Sequence, residues 1–161
     1  MKLIIKNKLL TLKGGSTVTN DMGEDVFLVK GKPFSITKKK YICDMEGNKL
    51  FAVRNKLFGG LLHAAFIYDT NKEKIGKLQM NVSLQENYKL EKAQDNIEIK
   101  KSTEHQGLAI YKNDEVIGVI LKRVSGFKDS FVVDCLKDSE AALITALVIA
   151  LDNIEDNTSN D

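Results

Sequence analysis

The sequence is poor in the residues on which metal, disulfide and redox chemistry depend. Among its 161 residues it has two cysteines, two histidines, one proline and no tryptophan. Two cysteines do not make a disulfide framework, and reduced thiols in a cytosol are the simplest interpretation. A zinc site needs closely spaced cysteine and histidine ligands, but His63 and His105 lie far apart in the chain. The sequence therefore predicts no metal site and no cofactor.

Arginine is scarce as well. Of the 24 basic residues only Arg54 and Arg123 are arginines, and the formal net charge is +2. Arginine is the preferred group for reading bases and clamping phosphates in two-point contacts, so this composition argues against nucleic-acid recognition. Lysines can still bind anions as point charges. The glycines form neither a GxGxxG string nor a P-loop, which leaves no nucleotide-binding motif.

Long apolar runs are missing from the start of the chain. Lysines at positions 2, 6 and 8 interrupt the apolar residues of segment 1–13. No small-residue cleavage site follows an unbroken apolar stretch, so we expect no secretory signal. A transmembrane helix needs roughly 20 apolar residues, and we expect none. The expected location is cytoplasmic, with peripheral contact to a membrane left open.

Short apolar segments separated by polar turns fill the first three-quarters of the chain. Ile42–Leu50 and Ile67–Ile75 have the same spacing, and Ile110–Ile117 is one residue shorter. Each reads as a β-hairpin, and consecutive hairpins favour an antiparallel barrel or sandwich. Segment 80–103 is ambiguous between two exposed strands and a strand with a loop. A helix over 85–93 fits it less well.

The segment Ala141–Leu151 is apolar on every face of a helix, with Thr145 as its one polar residue. As a helix it rises only about 16 Å, which is too short to span a membrane. It must therefore be surrounded by protein, which predicts a sheet curled around it, with its alanines keeping it slim. We expect one domain over 1–154, a central helix over about 139–153 and a disordered acidic tail over 155–161.

A set of short segments occurs in a characteristic order along the chain, namely Val29–Ile36, Lys38–Asp44, Gly47–Asn48, Arg54–Phe58, Phe66–Asp69, Ile75–Leu78, Val116–Val119 and Asp134–Cys135. The ending ALVIALDNI is the most distinctive part. This ordered set, which covers roughly 27–154, resembles a bacterial-type member of the LURP-one-related family.

The resemblance implies the tubby-like fold, which is a closed antiparallel β-barrel of about 12 strands threaded by a central C-terminal helix. The tubby-like superfamily includes phosphoinositide-binding tubby domains and phospholipid scramblases. Segment Gly59–Ala65 departs from the pattern, because polar or basic residues are expected there and this chain has apolar ones. Without a membrane-length helix or a cysteine cluster for palmitoylation, scramblase activity is not expected.

Basic residues around the first predicted hairpin form the candidate binding site. They could converge on the barrel surface into a patch for anionic lipid headgroups. The alternative is a set of solvated lysines that discourage edge pairing of the strand. The candidate residues are Lys30, Lys32, Lys38, Lys39, Lys40, Arg54 and Lys56.

The remaining candidates have structural interpretations. Gly59–Leu62 could insert into a membrane interface or cap the barrel end. Cys43 and Cys135 read as small buried residues, and no catalytic pair with a histidine is predicted. Four aspartates could suggest acid–base chemistry, namely Asp44, Asp69, Asp114 and Asp134. The first three lie at predicted hairpin turns, where aspartate is favoured for local hydrogen bonding, so the turn interpretation is preferred.

The sequence leaves two candidate functions, which belong to different classes. The first is a non-enzymatic barrel that binds anionic lipid headgroups or a protein partner. Exchanging Lys38, Lys39 and Lys40 for Glu should then abolish vesicle binding with little loss of thermal stability. The second is an enzyme or small-molecule carrier with a pocket at one barrel end, for which the sequence offers no set of catalytic residues.

Overall fold

The computed structural model describes residues 1–6, 15–31, 35–56, 64–80, 87–91, 93–105, 107–123 and 130–158. Within these ranges the chain forms twelve strands, a 3-10 turn at Asp138–Glu140 and the helix α1 (Ala141–Thr158). The strands are β1 (Lys2–Lys6), β2 (Gly15–Asn20), β3 (Asp25–Gly31), β4 (Lys40–Cys43), β5 (Lys49–Asn55), β6 (Ala64–Tyr68), β7 (Lys74–Met80), β8 (Tyr88–Glu91), β9 (Ile97–Lys101), β10 (Leu108–Lys112), β11 (Glu115–Arg123) and β12 (Ser130–Cys135).

The strands close into one antiparallel barrel in which every strand pairs with its neighbours along the chain. The barrel closes where β1 pairs with β12, in a register that sets Lys2 opposite Asp134 and Lys6 opposite Ser130. β1 also pairs with β2 on its other side. The predicted mostly-β fold, a closed antiparallel barrel of about 12 strands around a C-terminal helix, is confirmed.

The hairpin turns show why the predicted spacings recur. In the turn 44–48, the amide of Asn48 donates to Asp44 Oδ1 at 2.8 Å. In the turn 69–73, the amide of Glu73 donates to Asp69 Oδ1 at 2.9 Å. An aspartate at the first position thus closes each five-residue turn, as its side chain favours. The shorter third hairpin turns through Asn113 and Asp114, both with positive φ, as tight two-residue turns require.

The ambiguous segment 80–103 contains two strands, β8 and β9. Alternate residues of both are buried, namely Tyr88 and Leu90 on one strand and Ile97 and Ile99 on the other. These strands therefore each contribute one face to the core, although polar residues dominate the sequence between them.

Helix α1 fills the barrel, and its residues from Leu143 to Ile154 are all buried. It starts after the 3-10 turn and ends at Thr158, beyond the end near 153 that the sequence predicted. Ile154, one residue beyond the predicted end, is buried within the barrel. Of the predicted acidic tail, 155–158 are helical and 159–161 lie outside the described residues. Across the described residues, no helix combines the length and apolar character that spanning a membrane requires.

Small residues let the helix lie close to the wall. α1 packs most closely against β5 and β6, and Ala146, Ala150 and Ala65 are all fully buried. On β11, a Cβ added to Gly118 would lie only 3.1 Å from Ile144 Cδ1 of the helix. The barrel interior therefore has no room for larger side chains at these positions, since protein cores are packed as densely as organic crystals.

We predict that Ala146→Leu overpacks the barrel and lowers the free energy of unfolding by about 1–3 kcal/mol. The same exchange at Ala142, which is only half-buried, is the matched control and should cost less. Urea unfolding of both variants measures the difference. Equal midpoints for Ala146→Leu and the wild type would mean that the helix is not confined as described.

Candidate anion-binding groove

A groove lies on the outer wall of the barrel across β4, β5 and β6. Tyr41 on β4 pairs with Ala52 on β5, which in turn pairs with Tyr68 on β6. Opposed residues on neighbouring strands point to the same face, so the small Ala52 lies between two tyrosines. The resulting depression has a volume of about 220 Å³.

Three of the basic side chains at this groove, those of Lys39, Lys49 and Arg54, lie over aromatic rings. Lys39 Nζ lies 5.0 Å and Lys49 Nζ 4.4 Å from the centroid of the Tyr41 ring. The Arg54 guanidinium lies 5.0 Å from the Tyr68 centroid and 5.7 Å from that of Phe66. Each such contact is worth about 0.5–1 kcal/mol at an exposed site. The rings thus hold the cationic groups around the depression.

The groove carries net positive charge. Among the described residues that line it, four are basic (Lys39, Lys49, Arg54, Lys72) and one is acidic (Asp69). Asp69 already accepts the amide of Glu73 within its hairpin turn. The groove is therefore suited to an anion. In the part of the chain that the structure describes, no group of three or more histidine, cysteine, aspartate or glutamate residues could hold a metal ion.

The structure brings together only part of the predicted basic patch. Lys39 and Arg54 line the groove. Lys38 is exposed at a turn before β4 with φ +46, and Lys56 is exposed after β5. Lys30 Nζ reaches toward the turn 44–48, where a Cβ on Gly47 would lie 3.3 Å from it. Lys32, His63 and the segment Gly59–Leu62, with its two interpretations of membrane insertion and barrel capping, lie outside the described residues.

Lys40 does not belong to the surface patch that the sequence predicts, because its side chain points into the barrel. It is only 9% exposed, and its Nζ lies 3.6 Å from Oδ2 of Asp152, which is 1% exposed. Side chains alternate across a strand, so Tyr41 faces outward while Lys40 and Ile42 face the core. The triple exchange to Glu considered above would therefore bury a carboxylate beside Asp152.

A second inward residue joins the wall to the helix at the same level. The side-chain amide of Asn55 donates to the backbone oxygen of Asn153 at 3.4 Å, and both residues are buried. Lys40 follows Lys39 in the chain, and Asn55 follows Arg54. At each of these two strand ends, one residue therefore lines the groove on the outer face and the next contacts the helix on the inner face. The helix therefore fixes the part of the wall on which the groove lies.

Sequence reasoning missed Tyr41, Lys49, Tyr68 and Lys72 as members of the site. The register of the strand pairs determines which side chains meet at the groove. An irregularity between Ile42 and Cys43 shifts the pairing of β4 with β5 and places Cys43 opposite Lys49. Alternation along each strand could have placed Tyr41 and Tyr68 on the outer face. Only the strand pairing shows that Ala52 separates them.

The other candidate residues have structural surroundings. Cys43 and Cys135 are buried, and burial raises the pKa of both thiols, which disfavours the reactive thiolate. Asp44, Asp69 and Asp114 each lie at a different hairpin turn, whereas Asp134 lies on β12. His105 is exposed in a turn where its backbone amide donates to Ser102 Oγ at 2.9 Å.

Comparison with known proteins identifies one family and one similar structure. The model of the family described as LURP-one-related matches residues 1–152. An X-ray structure of a protein from Arabidopsis thaliana is similar, with a TM-score of 0.58 and 17% identity, over 96% of this chain and 91% of that one. At this identity the likeness concerns the fold alone. A search of curated proteins found no match.

Lys39, just before β4, and Lys40, its first residue, point to opposite faces of the wall. Substituting each of them in turn tests this geometry directly. We predict that Lys40→Met lowers the free energy of unfolding by on the order of 3 kcal/mol, because it removes the cation that lies 3.6 Å from the buried Asp152 carboxylate. Lys39→Met should lower it by no more than about 1 kcal/mol, because it loses only the exposed contact with the Tyr41 ring. Urea denaturation measures both. A smaller loss for Lys40→Met than for Lys39→Met would contradict the inward position of Lys40.

Proposed function

The chain belongs to the LURP-one-related family, and from that premise we propose that it is a non-enzymatic module that binds anionic phospholipid headgroups. The groove on β4, β5 and β6 takes the headgroup at a membrane surface. One observation supports this above all: four basic residues surround a tyrosine-flanked depression. Kinship with phosphoinositide-binding tubby domains and a cytoplasmic, membrane-peripheral location belong to the same proposal.

Phosphate is the anion that the groove suits best. Three of its four cations lie over ring faces, and an arginine or lysine stacked on a ring keeps N–H groups for oxygen ligands. Arg54 offers a planar fork that matches two phosphate oxygens, and Lys39 and Lys49 add point charges. Each base near an anionic surface contributes about 1 kcal/mol.

The same geometry disfavours single-stranded nucleic acid. Such ligands bind by stacking their bases on exposed aromatic faces. Two lysines lie over the Tyr41 ring, and Arg54 lies over the Tyr68 ring. The cations therefore compete with a base for the ring faces. The groove also lies on the outer surface of the barrel and not inside it, which favours a headgroup presented from outside over an enclosed substrate.

We predict that the double variant Lys39→Gln/Arg54→Gln binds vesicles containing a phosphoinositide more weakly than the wild type. Removing two bases should cost about 2 kcal/mol, or roughly 30-fold in affinity. Co-sedimentation with neutral and phosphoinositide-containing vesicles, at low and physiological salt, measures the loss. Binding of the wild type should weaken as salt increases, because salt screens exposed charges.

The matched control is Lys2→Gln/Lys101→Gln, which removes the same charge from exposed positions on β1 and β9. It should lose much less binding than the groove variant. Inorganic phosphate and a soluble inositol phosphate, added as competitors, distinguish a phosphate site from a surface that needs a bilayer. Equal losses in the two double variants would show that overall charge, not the groove, causes binding.

A further inference from the structure

Buried polar side chains lie together where the C-terminal half of α1 meets the start of β4 and the end of β5. Lys40 Nζ lies 3.6 Å from Asp152 Oδ2, and the side-chain amide of Asn55 donates to the backbone oxygen of Asn153 at 3.4 Å. Lys40 pairs with Val53, two residues before Asn55, so Lys40 and Asn55 are close neighbours on the inner face of the wall. We call Lys40, Asn55, Asp152 and Asn153 the inner polar site.

Two side chains of this site bring polar atoms into the core without pairing them. Asn153 is fully buried, with 0% of its surface exposed. Within the part of the chain that the structure describes, neither its Nδ2 nor its Oδ1 has a hydrogen-bond partner, and the same holds for Oδ1 of the buried Asn55. Buried polar atoms in proteins are almost always paired, either with protein groups or with ordered water. The three atoms therefore indicate a bound ligand.

The helix itself cannot pair the Asn153 amide, as a comparison with Thr145 shows. The Thr145 hydroxyl donates to the backbone oxygen of Ala141 at 2.8 Å, so this buried polar side chain is paired within the helix. An asparagine amide has an oxygen that needs a donor as well as an NH₂ group that needs acceptors. Backbone amides within a helix already donate to the carbonyl four residues earlier. Asn153 therefore requires a molecule that both donates and accepts.

Charge indicates that this molecule is neutral. The residues of the inner polar site carry no net charge, because Lys40 and Asp152 compensate each other, and both are buried. Glu155, the next acidic residue of the helix, is only half-buried. An added ion would bring an uncompensated charge into a buried site, which is costly. Water is neutral and small, donates and accepts, and is the usual partner of otherwise unpaired buried groups.

We propose that the inner polar site binds an ordered water molecule that bridges the helix and the wall. The water accepts from Asn153 Nδ2 and donates to Asn55 Oδ1, or donates to both side-chain oxygens. Buried waters typically make about three hydrogen bonds to groups of this kind. The water thus joins α1 to the two strand ends that carry Lys39 and Arg54 on their outer face. The inference does not depend on the proposed function of the groove.

A crystal structure of the whole wild-type chain locates the ligand directly. We expect a water within hydrogen-bonding distance, about 2.7–3.2 Å, of Asn153 Nδ2 or Oδ1 and of Asn55 Oδ1. Crystals grown in a rubidium salt distinguish water from a cation, because a bound rubidium ion gives an anomalous signal and water gives none. A rubidium ion at the site would overturn the proposal. Protein groups bonded to all three atoms would overturn it as well.

Relaxation of water ¹⁷O tests the same site in solution, because it counts the waters that stay bound for longer than the protein takes to tumble. Asn153→Leu replaces the amide by an apolar side chain of similar size and should lower this count by at least one. The matched control is Thr145→Val, which removes a buried hydroxyl that is already bonded to Ala141. It should leave the count unchanged. An equal count in the wild type and Asn153→Leu would contradict the proposal.

The test does not require a variant to fold, because the crystal structure uses the wild-type chain and decides the matter alone. The test is also independent of vesicle binding. The groove variant Lys39→Gln/Arg54→Gln changes only the outer face and should keep the same number of bound waters as the wild type. Failure of the groove to bind vesicles would therefore leave the water site standing, and absence of the water would leave the groove proposal standing.

Discussion

Enclosure of an apolar helix by the sheet is the constraint on which the rest of the structure depends. Because α1 is buried from Leu143 to Ile154, the strands must surround it completely. A sheet that surrounds a helix has to close, and here β1 pairs with β12. Closure also removes the exposed strand edges at which sheets aggregate. Small residues such as Ala146 and Gly118 then set how near the wall can approach the helix.

Alternation along two strands connects this core to the surface. On β4 and just before it, Lys39 lies outside and Lys40 inside, and on β5 Arg54 lies outside and Asn55 inside. The inner residues bind the helix through Asp152 and the Asn153 backbone. The outer residues line a basic groove on the other side of the same wall. The proposed binding groove and the packing of the core thus depend on adjacent residues at the same two strand ends.

The fold could be predicted from the sequence to a large extent, and the candidate site only in part. The segment Ala141–Leu151 requires an enclosing sheet because it is apolar on every face, and the hairpin spacings identify antiparallel strands. The sequence predicts a single basic surface over residues 38–40, because a run of lysines does not show which side chain faces inward. The placement of Tyr41, Ala52 and Tyr68 side by side could not be predicted, because it depends on the register of three strands. An irregularity between Ile42 and Cys43 sets the register of β4 with β5, and no sequence pattern marks it.

The order of the elements along the chain has a consequence for biosynthesis. All twelve strands precede α1, so a ribosome completes the wall before it makes the segment that the wall encloses. The inward residues of the strands, such as Ile42, Ile67 and Val133, have no helix to cover until then. Contacts between elements so far apart in sequence form slowly. A chain arrested before Ala141 would therefore expose the apolar inner face of its strands, which makes such a species prone to aggregation.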